Sequence, residues 1–214
     1  MKTTNEDTIK KALNKLDSSR EIYLKIAKEM LEADQGNIFP LDLFALGVIK
    51  RSLLLVKGFC DLARSNNFTS AAPLVRLHLD NLLQIYAVFI AKNPHDFAMK
   101  KLKGERTNNL KDKSGKKMKD SYLAKKLSRN EGTSWVERVY KETSKFIHFS
   151  DKHIFSMVQN IGENRTIEIL IPSDKEIVPE QAQLEAISAM NAITNELFRY
   201  LIGWVKTKNN SPKK

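Results

Sequence analysis

The stretch that decides the fold is TSAAPLVRLHLDNLLQIYAVFIAK, residues 69–92. If these residues form a helix, apolar side chains cover more than half of its circumference. Such a helix needs neighbours on most sides, so the stretch predicts the central helix of a bundle. Thr69 or Ser70 can cap its first turn, and Pro73 suits a position near its start.

The sequence on both sides of this stretch predicts further helices. Apolar residues recur near a 3.6-residue period over residues 6–33, which predicts one long helix ended by DQGN. Pro40 suits the first turn of a second helix that runs to about Asn66. The other predicted helices are a short one capped at Asn93, one over 118–129, one from Thr133 or Ser134 to about His148, and one that begins at Pro179.

The predicted fold is therefore mainly all-α, a bundle of about six or seven helices. Residues 154–171 alternate in polarity or are rich in β-branched residues, which predicts one β-hairpin inserted before the last helix. The basic stretch 104–117 contains Gly and Ser and predicts a mobile loop. We expect residues 1–207 to form a single domain and residues 208–214 to be a disordered tail.

The sequence predicts a cytosolic protein that does not cross a membrane. Charged residues interrupt the N-terminal stretch where a signal peptide needs an apolar run. Lys50, Arg51 and Lys57 interrupt the most apolar region, residues 39–63, so no stretch approaches the roughly 20 uncharged residues of a membrane span. The lone Cys60 cannot form an intramolecular disulfide and is expected to pack as a small apolar side chain.

The net charge of +11 is unevenly distributed along the chain. Residues 100–129 contain twelve Lys or Arg against three Asp or Glu, a net charge of +9. Such a segment can follow a phosphate backbone, because Lys and Arg release condensed counterions on binding. It can equally be a solvated loop that keeps the protein soluble. The nucleic-acid interpretation selects five lysines: Lys111, Lys113, Lys116, Lys117 and Lys119.

Two sets of polar residues stand out on predicted helices. Arg76 and Asp80 are four residues apart in the most apolar helix, where an unpaired charge costs several kcal/mol, roughly 3–5 for a broken buried pair. Tyr140, Ser144 and His148 recur at four-residue intervals and share one helix face. We expect the two sets to face each other, either as a buried network that fixes helix register or as a binding or catalytic site.

The sequence predicts neither a metal nor a cofactor. His148, Asp151 and His153 are the strongest metal candidates, but they lack the tight spacing of a zinc-binding helix. A single cysteine cannot build a structural zinc site. The sequence also contains no Gly-rich loop between strand and helix for a nucleotide, and no nucleophile elbow.

Two motifs resemble hallmarks of a group of uncharacterised all-helical bacterial proteins. SAAPLVRLHLDNLLQIYAVF resembles their pattern of small and apolar residues, then Arg, then an acidic residue four positions later. VYKETSKFIHFSDKH resembles their second hallmark, in which Tyr, Ser and His recur at four-residue intervals. The likeness covers about residues 43–153, and Asp80 stands where that pattern more usually has Glu.

That group is similar in turn to the HEPN (higher eukaryotes and prokaryotes nucleotide-binding) bundles, many of which accompany toxin and phage-defence systems and cleave RNA as dimers. The resemblance implies a metal-independent ribonuclease in which His148 is general acid or base and Lys141 or Arg138 stabilises charge. Active members have four to six residues between an Arg and the His. Here nine residues separate Arg138 from His148, and six separate Lys141 from His148.

These observations favour a cytosolic binding or interaction module associated with RNA, another nucleic acid or phage defence. Its predicted binding face consists of Arg76, Asp80, Tyr140, Ser144 and His148. The HEPN-like ribonuclease is one alternative. A scaffold that forms a homodimer through exposed helix faces is the other.

Overall fold

The chain folds mainly as α-helices in the computed structural model, which describes residues 5–147, 158–161, 167–169 and 178–210. A single core cluster takes side chains from the first helix to the last. The mainly helical bundle predicted from the sequence is therefore confirmed. The helices within these residues are α1 (Asn5–Asp17), α2 (Ser19–Glu32), α3 (Pro40–Arg64), α4 (Phe68–Ile90), α5 (Pro94–Leu102), α6 (Asp120–Leu127), α7 (Val136–Ile147) and α8 (Glu180–Asn209).

Helix α4 lies at the centre of the bundle, where the composition of residues 69–92 places it. It contacts α3, α5, α6, α7 and α8. Thirteen of its residues are buried, including Leu79, Leu82 and Leu83, whose side chains are completely inaccessible to solvent. Helices α1 and α2 pack against α3 and α8 instead. The wide apolar surface of α4 is thus covered by neighbours on most of its circumference.

The predicted single helix over residues 6–33 is two helices in the structure. The chain breaks at Ser18, whose hydroxyl donates a hydrogen bond to the Lys15 carbonyl at 2.8 Å. Serine side chains compete in this way for backbone groups that a continuous helix would use. After α2, Asp34 and Gln35 adopt positive φ angles of 51° and 59° and turn the chain towards α3.

Asparagine side chains begin two of the helices. The Asn67 side chain accepts a hydrogen bond from the Ser70 amide, so Asn67 and not Thr69 or Ser70 caps α4. The Asn93 side chain accepts from the amides of His95 and Asp96, which confirms the predicted cap of α5.

Residues 104–117 are not the mobile loop that the sequence predicts. Leu110 and Met118 are buried, and the Met118 amide donates to the Leu110 carbonyl at 2.9 Å. The Lys113 amide donates to the carbonyl of Ile90 at 3.0 Å, which attaches the segment to the end of α4. Buried apolar side chains at both ends and backbone hydrogen bonds between them therefore fix this segment, despite its Gly and Ser content.

Two short strands are described between α7 and α8. Strand β1 (Val158–Ile161) pairs antiparallel with β2 (Ile167–Ile169), with Ile161 opposite Ile167. The other residues of the predicted hairpin, 154–171, lie outside the described residues. The extent of an inserted hairpin and its packing against helices stay a prediction.

The domain extends past residue 207, where the sequence placed its end. Helix α8 continues to Asn209, and the Lys208 side chain is fully buried. The prediction of a disordered tail from residue 208 is wrong for the first residues of that range, because Lys208 forms an ion pair in the interior. Residues 211–214 lie outside the described residues.

Candidate nucleic-acid interface and the adjoining cleft

The segment 110–119, here called the lysine segment, is built around the buried carboxylate of Asp112. One carboxylate oxygen accepts hydrogen bonds from the Ser114 amide (2.9 Å), the Ser114 hydroxyl (2.7 Å) and the Lys116 amide (3.0 Å). The other accepts from the Tyr122 hydroxyl and the Lys126 ammonium, both at 2.6 Å. The only acidic residue within the segment is therefore satisfied internally.

This arrangement determines the protonation state of Asp112. Burial alone would raise the pKa of its carboxyl, but the hydrogen bonds from Lys126, Tyr122, Ser114 and the Lys116 backbone outweigh burial and hold the pKa well below its ordinary value. Asp112 also raises the pKa of Lys126 by accepting its hydrogen bond. Both groups are therefore charged at neutral pH.

The lysine segment directs five cationic side chains into solvent. Within the described part of the chain, none of them forms an ion pair with a carboxylate. The segment therefore presents excess positive charge on the surface. The exposed residues are Lys111, Lys113, Lys116, Lys117 and Lys119, the set selected from the sequence.

These lysines reach two concavities. Lys119 lines a cleft of about 790 Å³ between α3, α4, α5 and the start of α6. Lys111 and Lys113 line a second cleft of about 490 Å³, to which Lys92 and Lys100 also contribute. The basic surface therefore continues from the lysine segment into the larger cleft, whereas the second cleft also contains three acidic residues, Asp96, Glu105 and Asp112.

The larger cleft collects charged side chains from four parts of the chain. Helix α3 supplies Arg51, α4 supplies Asp80, α5 supplies Lys101, and the residues around the start of α6 supply Lys119 and Asp120. Arg106, which precedes a 3₁₀ turn over Thr107–Asn109, adds a further cation. We call this concavity the arginine cleft. Its aromatic lining residues are Phe44 and Tyr140.

Asp80 and Arg51 form the ion pair of the arginine cleft. The Arg51 Nη1 donates to the Asp80 Oδ2 at 2.8 Å and to the Asn81 Oδ1 at 2.5 Å. Gln84, one turn further along α4, donates to the other Asp80 oxygen at 3.3 Å. Asp80 thus has the partner that a carboxylate in so apolar a helix requires, and α3 supplies it.

Arg76 instead connects α4 to α6 and α7. Its Nη2 donates to the Asp120 carboxylate at 3.1 Å, and its guanidinium lies 4.5 Å from the centroid of the Tyr140 ring. A guanidinium over an aromatic face is attracted by the ring quadrupole. The structure thus brings Arg76 and Tyr140 together, as expected of the two polar sets.

The other members of the predicted binding face do not join that contact. The Ser144 hydroxyl donates to the Tyr140 carbonyl of its own helix at 2.6 Å. His148 lies outside the described residues, as do Asp151 and His153. Of the predicted face, Arg76, Asp80 and Tyr140 therefore border or line the arginine cleft.

Of the residues named for ribonuclease chemistry, Lys141 and Arg138 do not line this cleft, and His148 lies outside the described residues. Lys141 forms an ion pair with Glu137 at 2.8 Å on the exposed side of α7. Arg138 lines another groove, of about 500 Å³, between α4, α7 and α8. A catalytic role for either residue together with His148 stays a prediction.

Sequence reasoning missed Arg51, Lys101 and Arg106. A signal for Arg51 was present, because Lys50 and Arg51 interrupt a mainly apolar part of α3 one helical turn after Gly47. Lys101 and Arg106 have no comparable signal, since both lie in a generally basic stretch. Burial lowers the pKa of Lys101, which distinguishes this half-buried ammonium from the exposed lysines nearby.

Among the described residues, no group of three or more His, Cys, Asp or Glu side chains is arranged to hold a metal ion. In the same residues, every helix is too short or too polar to span a bilayer. No protein-family model, curated protein or solved structure matches this chain significantly, so the HEPN-like relationship stays a prediction.

Proposed function

We propose that the protein binds single-stranded RNA through the lysine segment. The observation that carries the proposal is the construction of that segment: Asp112 is buried and compensated by Lys126 and Tyr122, while the five lysines around it are exposed. A loop that served only solubility would not need a buried carboxylate to hold its shape. Because the backbone of the segment is already ordered by these bonds, binding phosphate costs less backbone conformational entropy than it would in a mobile loop.

Two further features support a single strand as the ligand. The basic surface follows concavities rather than an exposed helix that could enter a duplex groove. Tyr140 and Phe44 line the arginine cleft beside the lysine segment, and aromatic rings in a basic groove provide stacking surfaces for unpaired bases. We infer a binding module and assign no reaction to this surface.

The salt dependence of binding tests this proposal. On a single strand, each phosphate neutralised by a lysine contributes roughly 0.7 to the slope of log K, the association constant, against log salt concentration. If the five lysines each neutralise one phosphate, they make this slope steeper by about 3.5. We expect the variant with Lys111, Lys113, Lys116, Lys117 and Lys119 all changed to Gln to lose that part of the slope. Fluorescence anisotropy of a labelled RNA with hydroxyl groups at both ends measures it.

A charge-matched variant provides the control. Helices α1 and α2 carry five exposed lysines, so changing these to Gln alters the net charge equally on a surface that does not include the lysine segment. We expect this variant to keep most of the wild-type slope. Equal losses in both variants would show that net charge alone attracts RNA, and the proposal would then be wrong. The control lysines are Lys10, Lys11, Lys15, Lys25 and Lys28.

A further inference from the structure

The charge of the arginine cleft suits a dianion. Four cationic side chains line it, Arg51, Lys101, Arg106 and Lys119, against the carboxylates of Asp80 and Asp120, which leaves an excess of two positive charges. A phosphodiester in a strand carries one negative charge. A terminal phosphomonoester carries about 1.5 to 2 at neutral pH and presents three acceptor oxygens. The monoester therefore matches the cleft better than an internal phosphate.

Arg51 retains donors for such a ligand. Both of its hydrogen bonds to described residues use Nη1, which leaves Nε and Nη2 for an additional acceptor. Its side chain is 43% exposed, so the guanidinium is fixed by Asp80 and still accessible from the cleft. A guanidinium held in this way can bind two phosphate oxygens side by side.

Lys101, on α5, supplies a second donor to the cleft. Its ammonium donates to the Glu105 carbonyl at 3.0 Å, and an ammonium has three donors in all. Because burial lowers the pKa of Lys101, an anion beside it restores a favourable environment for the charged form.

Gly47 keeps the wall of the cleft open. It lies in the interior of α3 one turn before Arg51, where a glycine costs about 1 kcal/mol relative to alanine. A Cβ atom built on Gly47 meets no atom within 4 Å, so packing does not explain the glycine. A side chain there would occupy space in the cleft beside Arg51.

From these observations we propose that the arginine cleft binds the terminal phosphomonoester of an RNA strand. This inference rests on the proposed RNA binding by the lysine segment, which holds the rest of the strand. Lys119 belongs to both the segment and the cleft, so a strand can pass continuously from one to the other.

The experiment compares three RNAs of one sequence, with a 5′-phosphate, a 3′-phosphate or hydroxyl groups at both ends, by competition anisotropy. We expect one of the phosphorylated strands to bind at least tenfold more tightly than the hydroxyl strand. In Gly47→Gln we expect most of this gain to be lost, because the added side chain occupies the space beside Arg51. In the matched Gly203→Gln variant we expect the gain to persist. Gly203 also lies inside a helix, and a Cβ atom built on it also meets no atom within 4 Å, but it lies on α8 and does not line the cleft.

The outcomes separate the two proposals. If the hydroxyl strand does not bind the wild-type protein, RNA binding by the lysine segment fails and this inference fails with it. If all three strands bind equally, or if both glycine variants behave alike, RNA binding stands and the cleft assignment is wrong. Calorimetry also measures the affinity of adenosine 5′-monophosphate. If this nucleotide binds as tightly as the phosphorylated strand, the ligand of the cleft is a free nucleotide and the strand-end assignment is overturned.

Discussion

At the scale of single residues, His78 shows how strongly the interior affects a titratable group. It is completely buried in α4, and its Nε2 lies 3.0 Å from the Thr194 hydroxyl of α8. Burial, assisted by the positive charge of Arg51, lowers the pKa of His78 to about 3. His78 is therefore a neutral packing residue near neutral pH, and no part of the proposed binding surface.

The depressed pKa of His78 makes stability depend on pH in a defined direction. Between about pH 6.5 and pH 3 the unfolded chain binds a proton that the folded chain does not, so the free energy of unfolding falls as pH falls. From pH 7 to pH 5 the loss is about 2 kcal/mol, at roughly 1.4 kcal/mol per pH unit below 6.5. In His78→Gln the glutamine can still form a hydrogen bond with Thr194 but does not titrate. We therefore expect the free energy of unfolding of this variant to fall less between pH 7 and pH 5 than that of the wild type. Urea denaturation of both proteins at pH 5 and pH 7 measures the difference, and parallel pH profiles would contradict it.

At the scale of elements, the lysine segment depends on one carboxylate for its conformation. Asp112 accepts hydrogen bonds from the backbone of its own segment and from two side chains of α6. Removing its charge leaves the Lys126 ammonium without its anionic partner. Since that ammonium is partly accessible to water, the cost falls at or below the lower end of the range for breaking a buried pair, about 3 kcal/mol.

This dependence gives a prediction that opposes simple electrostatics. Asp112→Asn makes the protein more positive by one charge, yet we expect weaker RNA binding because the backbone that carries the lysines is no longer held in one conformation. Asp61→Asn is the matched control, since Asp61 is exposed on α3, lines neither cleft and pairs with Lys57 at the surface. It should leave stability nearly unchanged and bind RNA at least as tightly as wild type. Anisotropy and thermal melts distinguish the two variants, and equal affinities would show that the conformation of the segment is unimportant.

At the scale of the whole molecule, a buried ion pair joins three helices. Asp42 at the start of α3 accepts from the Lys208 ammonium of α8 at 2.9 Å and from the Trp204 indole at 2.7 Å. The same ammonium donates to the Met30 carbonyl of α2 at 2.7 Å. Both side chains of the pair are fully buried. The last turn of α8 is therefore part of the core.

Two truncations test this conclusion. Ending the chain after Thr207 removes Lys208 and leaves the Asp42 carboxylate buried without its cation, at a cost of about 3–5 kcal/mol. For a chain of this size we expect Tm to fall by about 10 °C. Ending the chain after Asn210 should leave Tm unchanged, because Lys208 and its bonds remain. If both truncations melt alike in calorimetry, the pair does not support the fold.

The sequence by itself determined most of the helices, because apolar periodicity, proline and asparagine act within a few residues along the chain, but it did not indicate the break at Ser18 between α1 and α2. It therefore predicted the central position of α4, the start of α3 at Pro40 and the cap of α5 at Asn93. It also identified the exposed lysines, since a dense run of cations cannot be buried.

Only the tertiary structure decided which charges are paired. Asp80 lies one turn from Arg76 in the sequence, yet it pairs with Arg51, 29 residues away. Lys208 looks like part of a polar tail, yet it is buried against Asp42, 166 residues away. The strength of an ion pair depends on distance and burial in space, and neither quantity is contained in the local pattern of the chain. For that reason the arginine cleft could be recognised only after the helices had been placed.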